Sequence, residues 1–219
     1  DICHDIIIRN NATPAPLNYK GFPKSVCTSV NHVVCHGIPS EKKILEEGDM
    51  VNVDVTVILN GWYGDSSRMF VAGKTNKKNF NFLKLTYESL LAGIEEAKPG
   101  NHIGDIGNKI QSLAEAKGYS VVRDFCGHGI GKEFHTPPSV LHFGDPGEGP
   151  RLEPGMFLTI EPMINLGAWQ TKILNDGWTA VTKDKSLSAQ FEHTIGITED
   201  GNEIFTLSKN NTAFPIKDV

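Results

Sequence analysis

The chain has 219 residues, 21 basic against 26 acidic, for a formal net charge of −5. That length fits one domain with an ample core, and the charge argues against a cationic protein that grips nucleic-acid backbones. No apolar run approaches the length needed to cross a bilayer, the longest being stretches such as Val51 to Leu59.

The four cysteines, Cys3, Cys27, Cys35 and Cys126, include no CxxC pair, which argues against a zinc knuckle. They read as reduced thiols of a cytoplasmic protein. The chain starts at Asp1 rather than Met, so a missing N-terminal segment is compatible with the sequence, and residues 1–219 are read as one catalytic domain.

Residues 1–48 show little periodicity and are broken by Pro14, Pro16, Pro23 and Pro39. Met50 to Ile58 then alternates strictly, with Val51, Val53, Val55 and Val57 on one face and Asn52, Asp54 and Thr56 on the other. Asn60-Gly61 is a strong hairpin signal, with Trp62 to Phe70 as the returning strand. Apolar residues at helical spacing predict a helix over about 80–98, ended by Pro99-Gly100, and a second over about 103–114, closed by Gly118. Further strands are expected at 119–125, 156–163 and 190–198, with a Gly- and Pro-rich loop over 139–155. Strands, then helices, then strands imply an α+β fold with a mainly antiparallel sheet.

In a two-residue hairpin at Asn60-Gly61, cross-strand partners have numbers summing to 121, so Asp54 faces Ser67. Asp65 lies on the same face, diagonal to Asp54, about 7–8 Å away at the backbone. Two such carboxylates repel unless a cation joins them; the competing reading is a solvated polar face on an edge hairpin. Glu161 and Glu192 each interrupt an apolar strand, and Gly127 and Gly129 leave the ring of His128 uncrowded. One histidine with four carboxylates is a hard, oxygen-rich donor set, better suited to Mn, Fe(II) or Co than to a structural zinc.

From Cys126-Gly-His-Gly-Ile-Gly131 the chain closely resembles the type I methionine aminopeptidases, whose fold is called pita-bread. Gly21 to Cys27, Val34 to Pro39, Val51 to Thr56, Gly64 to Ser67, Thr159 to Met163, Asp176 to Trp178 and Ser186 to His193 carry the likeness, which runs from about Tyr19 to Leu207. The resemblance implies a curved antiparallel sheet flanked by helices, in two pseudo-symmetric halves. It implies that Asp54, Asp65, His128, Glu161 and Glu192 hold two divalent ions (Co, Mn or Fe(II), with Zn also compatible), Asp65 and Glu192 bridging. It further implies that His36 and His135 contact the substrate around the scissile amide and that Glu161 shuttles the proton. Tyr19, Phe22, Cys27, Phe134 and Trp178 match positions lining a methionine pocket.

The implied activity is removal of the initiator methionine from nascent chains near the ribosome with a small second residue, by a monomer without membrane or specific nucleic-acid partners. Lys20 and Phe22 depart from the family pattern, where His and Tyr are common. The competing readings are an X-Pro peptidase of the same fold, a metal-free binding relative, and a cysteine hydrolase using Cys126 or Cys35. His4, His32, His102, His142 and His193 are read as ordinary histidines.

Overall fold

The computed structural model describes residues 1–208 together with Phe214 and Ile216. The remaining end of the expected 1–219 domain lies outside the described residues. A short helix, α1 (Ile2–Arg9), occupies a stretch in which the sequence shows no period. The strands that build the site are β1 (Cys27–Val30), β2 (Met50–Leu59) and β3 (Trp62–Val71), followed by helices α2 (Lys77–Glu96) and α3 (Ile103–Glu115). After them come β4 (Gly127–Gly129), β5 (Thr136–Val140), β6 (Phe157–Ile160) and β7 (Glu192–Ile197).

These strands belong to one curled, nine-stranded sheet ordered β2-β3-β7-β6-β4-β5, with β1 added on the outer side of β2. Each of these pairings is antiparallel. The two halves of the fold join where β3 pairs with β7. At the hairpin tip Asn60 and Gly61 both take positive φ, 52° and 79°, the backbone that a two-residue turn matching strand twist requires. The register follows directly: Asp54 faces Ser67 and Thr56 faces Asp65.

Two predicted strands are each split in two. The 156–163 run is β6 followed by Met163–Asn165, and the 190–198 run is Ser188–Gln190 followed by β7. Met163–Asn165 and Ser188–Gln190 pair with each other in a separate three-stranded sheet. The chain therefore changes sheet next to Glu161 and Glu192, and a period-2 pattern carries no mark of that change. Of the strand expected over 119–125, only Ser120–Val121 forms, as an edge of the same small sheet. The expected loop at 139–155 begins inside β5.

The main core lies between the sheet and the helix pair. Phe82, Leu83 and Leu90 of α2 and Ile106 and Ile110 of α3 pack with Leu158, Ile160, Phe191 and Ile195, all essentially inaccessible. Asn76 caps α2 by accepting from the Asn79 N–H at 2.9 Å. At α3, His102 takes the capping position and its N–H donates to Asp105. Among the described residues no helix is long and apolar enough to cross a membrane.

The hairpin β2–β3 inverts ordinary amphipathicity. Asn52, Thr56, Asp65 and Ser67 are buried, whereas Val53, Val55 and Val57 are only half-buried. The polar face thus points into the molecule, where something must satisfy it.

Because the helix pair supports the strands from behind, Ile106→Ala is expected to cost about 2–5 kcal/mol of stability, the range for emptying a buried aliphatic site. Ile6→Ala on the exposed face of α1 is expected to stay within about 0.5 kcal/mol. Urea unfolding of both variants checks the contrast.

Candidate metal centre and substrate pocket

The inward polar face is organised as two cross-strand rows. In the first, Asp54 on β2, Ser67 on β3 and Glu192 on β7 are successive register partners. Glu161, one residue beyond β6, continues that row, since its neighbour Ile160 pairs with His193. In the second row Thr56 faces Asp65, and Thr194 faces Thr159. One row is mostly acid and the other mostly hydroxyl, and two of the hydroxyls, on Thr56 and Thr159, donate to a neighbouring carboxylate.

Thr56 Oγ1 donates to Asp65 Oδ1 at 2.6 Å. Thr194 Oγ1 donates to the Asp65 carbonyl at 2.7 Å and accepts from the Asp65 N–H at 3.1 Å. Thr159 Oγ1 accepts from the His128 N–H at 3.0 Å and donates to Glu161 Oε1 at 2.9 Å. Gln190 Nε2 donates to Glu161 Oε2 at 3.1 Å, and the Gln190 carbonyl is held by Asn52 at 2.8 Å. Orientation of the Asp65 and Glu161 carboxylates is therefore set by side chains of the sheets themselves.

His128 enters from β4. A Cβ at Gly127 would strike the carbonyl of Thr159, and one at Gly129 the carbonyl of Pro137. Glycine on both sides thus lets β4 approach its neighbours closely, with the imidazole turned toward the acids. The ring Nδ1 lies 3.0 Å from the Gly129 carbonyl. A carbonyl only accepts, so Nδ1 carries the proton and Nε2 presents a lone pair. That Nε2 sits 3.6 Å from Asp65 Oδ2 and 3.7 Å from Glu161 Oε1.

Burial and mutual repulsion strongly disfavour the charged acids. Burial is the largest cause in each case: Asp54 and Glu192 are held well above the usual carboxylate range, and Glu161 is pushed up to about 7. For His128, burial acts to lower the pKa, but Asp65 and Glu161 outweigh it and the net shift is upward.

This donor set fits divalent cations. Donor atoms of Asp65, His128 and Glu192 lie within 4.8 Å of one another. The His128 separations are too long for hydrogen bonds, yet two ligands each about 2.1 Å from a shared ion stand roughly 3–4 Å apart. A cation also relieves the repulsion that the protein alone leaves uncompensated.

All twelve residues singled out in the sequence line one cavity of about 410 Å³. Its closed end is apolar: Phe22 and Cys27 are buried, and the Phe22 ring meets Trp178 edge-on at 5.2 Å. Tyr19 packs on Phe134 at 4.8 Å, and its hydroxyl is 3.0 Å from His135 Nδ1. His36 adopts a left-handed φ of 56°, with its ring edge-on to Phe125 and Trp178. Burial lowers the pKa of His36, and burial with the nearby His128 brings His135 down to about 4. Both rings are neutral near pH 7. Cys35 and Cys126 also line the cavity, but burial raises both thiols, the reverse of an activated nucleophile.

Several participants carry no readable signal in the sequence. Phe125, Met163 and Thr56 line the cavity, and the first two resemble any core residue. His142, read as ordinary, is fully buried, its Nε2 accepting the Glu161 N–H at 3.1 Å. Its place is fixed by a loop whose path period and spacing do not reveal. His193 keeps its ordinary reading, with Nδ1 2.8 Å from Thr206 Oγ1.

The sequence pattern of metallopeptidase family M24 matches residues 1–199. The methionine aminopeptidase of Rickettsia prowazekii is 59% identical over 216 residues, which cover 98% of this chain and 83% of that protein. The Escherichia coli methionine aminopeptidase is 50% identical over 212 residues, covering 96% and 80%. In three dimensions the chain is similar to the crystal structure of the Rickettsia enzyme, with TM-score 0.93, 60% identity and coverage of 94% and 84%. It is also similar, more distantly, to the prolidase from Pyrococcus furiosus, with TM-score 0.67, 26% identity and coverage of 84% and 49%. The chain belongs to metallopeptidase family M24, on its methionine aminopeptidase branch.

Proposed function

We propose that this protein hydrolyses the first peptide bond of chains that begin with methionine and carry a small second residue, using two divalent ions held by Asp54, Asp65, His128, Glu161 and Glu192. The observation that carries this reading is the direct opening of the carboxylate–histidine cluster into a closed apolar pocket. Lined by Tyr19, Phe22, Cys27, Phe134 and Trp178, that pocket suits a thioether side chain, which packs well against aromatic edges. Divalent ions there supply Lewis acidity, which polarises a carbonyl and acidifies water. The hard donor set favours Mn, Fe(II) or Co, with Zn also accommodated.

The protein groups then have separable tasks. Glu161, oriented by Thr159 and Gln190, takes a proton from the attacking water and passes it to the leaving nitrogen. In the tautomer whose Nδ1 accepts from the Tyr19 hydroxyl, neutral His135 has an Nε2–H to donate to the developing oxyanion. His36, fixed in its left-handed backbone between Phe125 and Trp178, contacts the amide nitrogen.

The natural substrates are read as nascent chains near the ribosome, and the protein as a single-domain cytoplasmic monomer. One sheet continuous across both halves and four free cysteines support the domain and compartment readings; the substrates and the monomeric state rest on the family likeness. The likeness to a prolidase gives a second reading, a peptidase acting before proline.

Release of methionine from Met-Ala-Ser by chelator-stripped protein, titrated with Mn, Co, Fe(II) or Zn, tests the function. Metal-restored release, with Ala-Pro peptides left intact, is the expected result; the reverse selectivity overturns the methionine reading. His135→Ala is expected to lower kcat by about 10²–10³, the usual cost of one oxyanion donor.

Metal removal should also change stability. Glu161 moves from an ordinary 4.5 to about 7 in the folded, metal-free state. The folded state then binds more protons than the unfolded one, so its stability is full below pH 4.5 and is lost as pH rises through about 7. Metal reverses this by taking ionised ligands, and protons are released on binding. At about 100 times the dissociation constant the ion adds about 2.7 kcal/mol, or roughly 5–10 °C in Tm. Glu192→Gln should raise the Tm of the metal-free protein and abolish the metal-induced rise, as scanning calorimetry can read.

A further inference from the structure

Lys20 is the one lysine or arginine among the residues lining the cavity. It sits in the short turn Tyr19–Gly21 with φ 47° and ψ 29°, a left-handed backbone that disfavours any residue with a Cβ. Its ammonium lies 5.3 Å from the centroid of the Tyr19 ring. The hydroxyl of that same tyrosine contacts His135. The cation is thus stationed beside the group assigned to the oxyanion.

Exposure shows where the cavity opens. Its buried lining, including Phe22 and Cys27, marks the closed end, and its exposed lining residues are Lys20, Asp124 and His135. A substrate with its first side chain in the closed end must leave through this mouth. Asp124 is already engaged, since its Oδ2 accepts from the Thr171 N–H and hydroxyl at 3.1 and 2.6 Å. Lys20 makes no ion pair among the described residues. The acids deeper in the cavity are assigned to the metal ions. A free positive charge therefore faces the departing peptide.

We propose that Lys20 is a specificity residue that receives a carboxylate carried by the substrate downstream of the scissile bond. This rests on the aminopeptidase reading of the site. The carboxylate has two sources: an acidic side chain at the third or fourth residue, or the free C-terminus of a short peptide. Lys20 is exposed, so the contact is screened by salt and modest in size.

The test compares kcat/KM at low salt for peptide amides of the form Met-Ala-Xaa-Ser and Met-Ala-Ser-Xaa, with Xaa as Glu, Gln or Lys. Met-Ala-Ser with a free C-terminus is compared with its amide. The expected result is about a two- to fivefold preference for Glu over Gln at one of the two positions, carried by KM and fading with added salt. Lys20→Met keeps the length of the side chain and should remove the preference, and Lys20→Glu should invert it in favour of Lys. A preference confined to the free acid over its amide assigns the contact to the C-terminus alone. Equal rates for Glu, Gln and Lys and for acid and amide, or a preference unchanged in Lys20→Met, overturn the proposal while leaving the aminopeptidase reading intact. If neither the amides nor free Met-Ala-Ser is cleaved by the metal-loaded protein, the aminopeptidase reading itself fails, and this proposal fails with it.

Discussion

Four carboxylates share one small chamber, and their mutual repulsion is the constraint to which the surrounding sheet answers. Asp54, Glu192 and Glu161 follow one another along a single cross-strand row, with Asp65 in the next. Left in water they would separate, and buried without a partner they would hold their protons. The fold prevents the first outcome by placing Asp54, Asp65 and Glu192 on three strands of one antiparallel sheet and Glu161 just past the end of a fourth, and the spacing of those strands cannot relax without breaking backbone ladders. It leaves the second to a cation. Under the proposed assignment stability and chemistry are linked, because the charge that opposes folding without metal is the charge that would bind it.

The helices matter to the site only indirectly. Their apolar faces press on Leu158, Ile160, Phe191 and Ile195, each within three residues of Glu161 or Glu192. Alternation does the rest: on β6 and β7 one face packs against the helices while the other presents Thr159, Glu192 and Thr194 to the chamber. The changes of sheet after Ile160 and before Glu192 leave Glu161 outside the strand ladder and let Gln190 turn in from the second sheet to hold it.

Much of this was legible in the sequence, for identifiable reasons. A tight Asn-Gly turn fixes register by counting, so the relation of Asp54, Ser67 and Asp65 could be derived from numbers alone, and the observed pairing agrees with it. Helices α2 and α3 announce themselves by period. The splitting of two strands was hidden, because a change of sheet leaves alternation unbroken. So was α1: only Ile7 of its eight residues is buried, and a helix with little to bury shows little period. His142 and Phe125 depend on where loops return in space, which local spacing does not encode. The valine face of β2 misleads in the opposite way, since hydrophobicity alone would turn it inward.

Thr159 has a consequence that reaches beyond its own bonds. A single hydroxyl receives the His128 amide and donates to Glu161, so one donor and one acceptor from distant parts of the chain are tied through the same oxygen. In the proposed metal site an ion that draws on Glu161 would also draw, through Thr159, on the strand carrying His128. The chamber is in this sense a mould cast before its contents arrive. Under the proposed assignment it would favour ions whose preferred bond lengths match the casting, since ions of other radii would have to bend two strands at once.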